Sequence, residues 1–214
     1  MTPVLFVLAG VNGAGKSSIG GAVVRGHGLN YFNPDEAAAK IRQLLDCSEQ
    51  EASGHAWQEG RRRLEAAIRE RANYAFETTL GGNTIPRLLA QAADSGLDVR
   101  VWFVGLSTPE QHIARVRSRV AAGGHDIAED KIRERWDGSR RNLIALMPRL
   151  RELKVFDNSE ERDPVRGLTP PMKLVLHCKD ASILEPAVAA LELTPEWAKP
   201  IVARAIQLQR TARA

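Results

Sequence analysis

The stretch LAGVNGAGKSS, residues 8–18, does most to narrow what this chain can fold into. Gly10, Gly15, Lys16 and Ser17 fall at the spacing G-x-x-x-x-G-K-S directly after the apolar run Val4 to Leu8. Glycines let a backbone wrap around an anion with its N–H groups turned inward, and a helix starting near Lys16 aims the positive end of its dipole at the same point. Such a loop needs a strand before it and a helix after it, which is one unit of a parallel sheet. In that geometry the backbone from Gly10 through Asn12, Gly13, Ala14 and Gly15 to Ser18 cradles phosphates. Lys16 neutralises the β- and γ-phosphates and the Ser17 hydroxyl ligates Mg2+. The ligand expected is ATP with magnesium, since no Asn-Lys-x-Asp guanine-selecting element occurs. An accidental glycine turn is the alternative.

The rest of the chain repeats the strand–helix alternation. GLNYFNPDE predicts a short strand ending at Asn33, with Pro34 and Asp35 at the mouth of a helix; residues 36–72 read as helical with a break near Ser48. In GRRRLEAAIRERA, Leu64, Ala67 and Ile68 share one face, so Arg61, Arg62 and Arg63 are expected on the solvated side with no functional role. NYAFETTLGGNT is a strand ending in Glu77, Thr78 and Thr79, and a helix closing at Gly96 follows. DVRVWFVGLS is the clearest buried strand. Thr108 and Pro109 then open a helix, a long basic helical stretch follows, and KVFDNS is another strand. Alternation of this kind predicts an α/β fold, a three-layer α/β/α arrangement around a mainly parallel sheet. Residues 1–160 are the expected phosphate-binding domain, with a helical, arginine-rich lid at about 113–143. Residues 161–214 are the expected C-terminal extension: a strand, MKLVLHC, and a helical tail from about Pro195, either appended or continuing the sheet at its edge.

Bulk properties remove other classes. The chain has 214 residues, 43% of them hydrophobic, enough for a buried core. Its net charge of +4 favours anions, but an excess this small suits a phosphorylated metabolite and does not call for nucleic acid. Cys47 and Cys178 form no disulfide framework or zinc pattern. No apolar stretch approaches the roughly 20 residues of a membrane span. A cytoplasmic protein is the expectation.

Whether phosphate is transferred or hydrolysed turns on the acids. A motor-type ATPase needs an apolar strand ending in aspartate, and Val99 to Leu106 ends without any acid. Asp35 follows the second strand and Glu77 ends the third, and parallel strand ends converge on the edge that carries the phosphate loop. Two carboxylates facing a γ-phosphate suit transfer to an organic hydroxyl, Asp35 as base and Glu77 with Thr78 and Thr79 on the acceptor. Asp35 reads equally well as a helix N-cap. Glu77, between Phe76 and two threonines, is costly to bury without a partner. The segment 113–143 holds seven arginines around a Gly-Gly-His turn. Arg119 and Arg135 flank the turn most nearly and are the expected contacts to the transferring group. His125 either touches the acceptor or makes a plain surface hydrogen bond. Asn158, in VFDNS, either lines an adenine pocket or belongs to a turn.

GVNGAGKSS, FNPDE, FETTL and RVRSRVAAGGHDIAEDKIRERW, in this order, resemble the zeta-toxin-like P-loop kinases over about residues 3–160. The resemblance implies that Lys16 holds ATP phosphates, Asp35 is the base, Glu77 helps bind substrate, and Arg119 and Arg135 contact phosphate. It implies a small-molecule acceptor, a UDP-N-acetyl sugar in the characterised toxins, and a small antitoxin protein as partner. A kinase for another metabolite, nucleoside or antibiotic hydroxyl, and an ATP-gated module that binds RNA or protein, are the competing readings.

Overall fold

The computed structural model describes residues 2–16, 31–160 and 171–213. Ser17, Ser18 and the helix expected as far as Val24 lie outside them. The described strands are β1 (Val4–Ala9), β2 (Tyr31–Phe32), β3 (Tyr74–Thr78), β4 (Asp98–Gly105), β5 (Glu152–Asp157), β6 (Lys173–Lys179) and β7 (Ser182–Glu185). They form one sheet in the order β2-β3-β1-β4-β5-β6-β7. The first five are mutually parallel, and β6 and β7 join antiparallel at the β5 edge. The fold is α/β around a mostly parallel sheet, as the alternation predicts. The C-terminal strand continues the sheet and is not a separate appendage.

Among the described residues the α-helices are α1 (Pro34–Leu45), α2 (Glu49–Glu70), α3 (Thr84–Asp94), α4 (Pro109–Ala121), α5 (Glu129–Leu146) and α6 (Lys199–Arg213). Their ends follow local chemistry. Asn33 caps α1 by accepting from the N–H groups of Asp35 (2.9 Å) and Glu36 (3.4 Å), with Pro34 in the first turn. Ser48 and Glu51 form a reciprocal capping box at the start of α2, which is why the helical run breaks there.

Strand β1 is buried from Leu5 to Ala9, as a central parallel strand must be. Leu5, Val7 and Ala9 join Val101, Phe103 and Val155 in the main core, closed by Leu64 of α2, Leu89 of α3, Leu143 of α5 and Ile201 of α6. Trp197, just before α6, packs so closely over Gly105 that any side chain there would overlap the indole. Its Nε1–H also donates to Asp157 Oδ1 at 3.1 Å. A second, smaller cluster of Val11, Ile113, Val116 and Ile132 fastens α4 and α5 to the glycine loop.

Candidate active site

Strand register brings the chemistry together. Leu8 lies opposite Glu77 and Ala9 opposite Thr78, so the loop leaves β1 beside the acid-bearing end of β3. Gly10 N–H donates to the Thr78 carbonyl at 3.1 Å. Phe32 pairs with Phe76, which puts Asn33 and the first turn of α1 next to Glu77.

The loop has the backbone its glycines promised. Gly13 has φ +81° and lies so close to α4 that a Cβ would stand 2.7 Å from the His112 carbonyl oxygen. Gly15 has φ +88°, and a Cβ there would stand 2.5 Å from Asn158 Nδ2. Side chains hold the loop from three directions. His112 Nδ1–H donates to the Asn12 carbonyl (2.8 Å), Asn158 Nδ2 to the Ala14 carbonyl (2.8 Å), and Arg135 Nη1 to Asn12 Oδ1 (2.8 Å). His112 is 1% exposed, and burial pushes its pKa down to about 4, with the bond to the Asn12 carbonyl opposing. It is therefore neutral at neutral pH. The Lys16 ammonium donates to the Gly10 carbonyl at 2.8 Å. Burial lowers its pKa, Glu77 and Asp35 oppose this, and Arg119 and Arg135 add to it, so all five charges share one field.

The two carboxylates differ in environment. Glu77 is 7% exposed. Burial raises its pKa, while Lys16 and a hydrogen bond from the Tyr31 hydroxyl pull the other way. Asn33 Nδ2 donates to it as well, at 3.4 Å. These are the partners that an acid in FETT requires. Asp35 is half-exposed, and its Oδ2 lies 3.4 Å from Arg119 Nη1. Because Asn33 supplies the cap of α1, the Asp35 side chain is not used for capping.

Asp35, Glu77, Thr78, Thr79, His125, Arg135 and Asn12 all line one cavity of about 450 Å³, within the range of small-molecule sites. Thr78 Oγ1 accepts from Leu80 N–H (3.0 Å) and Thr79 Oγ1 from Gly81 N–H (3.4 Å), shaping the turn that forms one wall. The carbonyl of His125 accepts from Arg119 Nη2 at 2.7 Å, and its ring meets the Glu49 carboxylate, which that bond holds below the usual carboxylate range. Thus His125 both lines the cavity and makes a hydrogen bond. Asn158 braces the loop through Ala14, and its amide lies against Gly15.

Of the seven arginines between residues 113 and 143, Arg119 and Arg135 reach the cavity's charged groups. Arg115 donates to the Asn158 carbonyl at 2.7 Å. Arg117 pairs with Glu129, Arg133 with Glu110 and Arg140 with Asp137. The Arg117 and Arg133 pairs are solvent-exposed and contribute little to stability. The arginine triplet carries surface ion pairs, Arg61 with Glu65 at 3.5 Å. Arg62 and Arg63 pair with Glu59, and Arg61 also lines the cavity with Trp57. The signal was present: Ser53, Ala56, Trp57, Gly60 and Arg61 share one helical face. Tyr31 and Asn33, the partners of Glu77, carried no such signal. The donors fit a nucleotide: a positive-φ loop, a buried ammonium and two guanidinium groups. Ser17, the expected Mg2+ ligand, lies outside the described residues, and no cluster of three metal-ligating side chains occurs among them.

An uncharacterised protein of Haemophilus influenzae is 29% identical over 133 residues, covering 59% of this chain and 88% of the relative. The crystal structure of AvrRxo1-ORF1:-ORF2 with ATP superposes with a TM-score of 0.64 at 17% identity, over 91% of this chain but only 64% of that one. The PezAT chromosomal toxin–antitoxin structure from Streptococcus pneumoniae superposes with a TM-score of 0.57 at 14% identity, over 97% of this chain and 87% of that one. These likenesses concern the fold alone. No helix among the described residues is long and apolar enough to cross a membrane. The sequence profile of the AAA domain matches residues 5–146, more than half of the chain, and the protein belongs to that P-loop family.

Proposed function

We propose that this protein is an ATP-dependent kinase that moves the γ-phosphoryl group to a hydroxyl of a small acceptor. The observation that carries the reading is that one cavity is lined by Asp35, Glu77, Arg135 and, from the phosphate loop, Asn12. Asp35, half-exposed and held only by a 3.4 Å contact to Arg119, is free to take the acceptor's proton. Glu77, its position set by Tyr31 and Asn33, orients the acceptor, with Thr78, Thr79 and His125 completing that wall. Lys16, Arg119 and Arg135 balance charge developing on the transferred group. When bound, Mg2+ would neutralise phosphate oxygens, with Ser17 as its protein ligand.

A zeta-toxin-like acceptor, a UDP-N-acetyl sugar, is the finer form of this reading, and an antitoxin is the fitting partner. The fold likeness to PezAT, a toxin–antitoxin system, supports the partner, and the acceptor rests on the sequence resemblance. We read residues 1–160 as the kinase domain with its lid at about 113–143, residues 161–214 as its extension, and the cytoplasm as its location. The test is incubation with [γ-32P]ATP and a panel of UDP-sugars, free sugars, nucleosides and aminoglycosides. A labelled acceptor supports the reading and identifies the acceptor class. Lys16→Ala should lose ATP binding. Label released only as inorganic phosphate, at a rate no acceptor changes, would overturn it.

A further inference from the structure

Resting on the kinase reading of this cavity, we infer that Asn142 is a positioning residue for transfer: it holds one wall of the acceptor site at a fixed separation from Arg135 without touching the cavity itself. That wall is the turn after β3. Thr79, Leu80, Gly81 and Gly82 line the cavity, as does Arg135 of α5, whereas Asn142, about two turns further along the same helix, does not.

Arg135, Gly138 and Asn142 fall at i, i+3 and i+7 and form one stripe of α5. Along this stripe the turn lies directly against the helix. A Cβ on Gly138 would stand 2.7 Å from the Gly81 carbonyl oxygen, and one on Gly81 would stand 2.8 Å from Arg135 Cγ, so the contact exists because both side chains are missing. Asn142 fastens it. Its Nδ2 donates to the Leu80 carbonyl at 2.8 Å and to the Gly82 carbonyl at 3.0 Å, which uses both amide hydrogens. Such a turn needs a clamp, since Leu80 has φ +57°, a conformation that leucine keeps only where its surroundings hold it. Its N–H is held by Thr78 Oγ1 at 3.0 Å and its carbonyl by Asn142. Helix α5 is itself anchored at both ends of the stripe: Leu143 lies in the main core, and Arg135 donates to Asn12 of the phosphate loop at 2.8 Å. The helix therefore sets Arg135 and the acceptor wall at one distance, and in phosphoryl transfer such positioning carries much of the catalysis.

Transfer from [γ-32P]ATP to the acceptor that the full wild-type chain labels tests this, with nucleotide affinity measured on the same preparations. Asn142→Leu keeps the size of the side chain and removes its donors. It should lower kcat/KM for the acceptor about 10²-fold, the cost of a misplacement of about 1 Å. The Kd of a non-hydrolysable ATP analogue should stay within about twofold, because His112 and Asn158 brace the phosphate loop from elsewhere. A merely structural role would instead lower the folded fraction, and nucleotide binding and transfer in parallel. A double-mutant cycle with Arg135→Ala adds a second readout: once Arg135 is gone, Asn142→Leu should cost no more than about tenfold further, since the two residues act through one separation. Asn142→Asp, of the same shape but with an acceptor facing the two carbonyls, should lose at least as much, and it takes the place of the leucine variant in the cycle if that variant does not fold. Unchanged transfer, an equal loss of nucleotide binding and transfer, or losses that multiply in the double variant would overturn the assignment. A wild-type protein that labels no acceptor refutes the kinase reading and this inference with it, whereas wild-type transfer with multiplying losses refutes this inference alone.

Discussion

Replacing Asp35 with Asn should separate catalysis from stability. The side chain is 52% exposed and makes one 3.4 Å contact with Arg119. An ion pair in that setting is worth about 0–1 kcal/mol, and 1 kcal/mol moves Tm by roughly 2–4 °C in a chain of this size. The cap of α1 is untouched because Asn33 provides it. Loss of a general base costs about 10²- to 10⁴-fold in rate, or roughly 3–5 kcal/mol of barrier. Transfer should therefore collapse while Tm falls by no more than about 4 °C. ATP binding should hold or tighten, since one negative charge near the phosphates is gone. Steady-state transfer with labelled ATP, a fluorescent nucleotide titration and calorimetry on the same preparation measure all three. A kcat within about threefold of wild type would refute Asp35 as base. A Tm drop large enough to unfold the variant at assay temperature would refute the separation.

His112 should make the fold acid-sensitive. Its pKa is depressed from 6.5 to about 4 in the folded chain, so the unfolded chain binds the extra proton first. Its contribution is full above about pH 6.5 and falls away towards pH 4, by about 3 kcal/mol. Urea denaturation at both pH values should show that loss, and His112→Asn should reduce it. Trp197→Ala should cost about 3–5 kcal/mol by emptying the space over Gly105, read from the urea midpoint. Gly13→Ala should abolish nucleotide binding, because a Cβ 2.7 Å from the His112 carbonyl cannot be accommodated without moving α4; a titration with retained affinity would contradict this. Arg135→Ala should lower kcat about 10²–10³-fold, whereas Arg133→Ala, paired on the surface with Glu110, should change it little.

Much of the site could be read locally because its rules are local. Ser48 and Glu51 are three residues apart, so a capping box can be read from that spacing. A glycine loop after an apolar run states its own backbone requirements. Asp35 could not be separated from a cap by such rules, because Asn33, Asp35 and Pro34 all suit a helix start and only the backbone geometry shows which side chain turns inward. The place of Arg61 beside the cavity lay beyond such rules for a related reason. Amphipathicity sorts a helix into apolar and polar faces, and it cannot show that part of a polar face borders a cavity formed with β3 and the turn after it.

The order of apolar runs, turns and the phosphate loop determined by itself that this chain is a strand–helix alternation with an anion cradle and two acids at strand ends, since periodicity and backbone freedom act over a few residues. Tertiary structure alone decided that Tyr31 and Asn33 satisfy Glu77, that His112 and Asn158 brace the loop, and that the C-terminal strands continue the sheet. Those contacts join residues far apart in sequence, and burial makes each group's behaviour depend on what the fold places beside it.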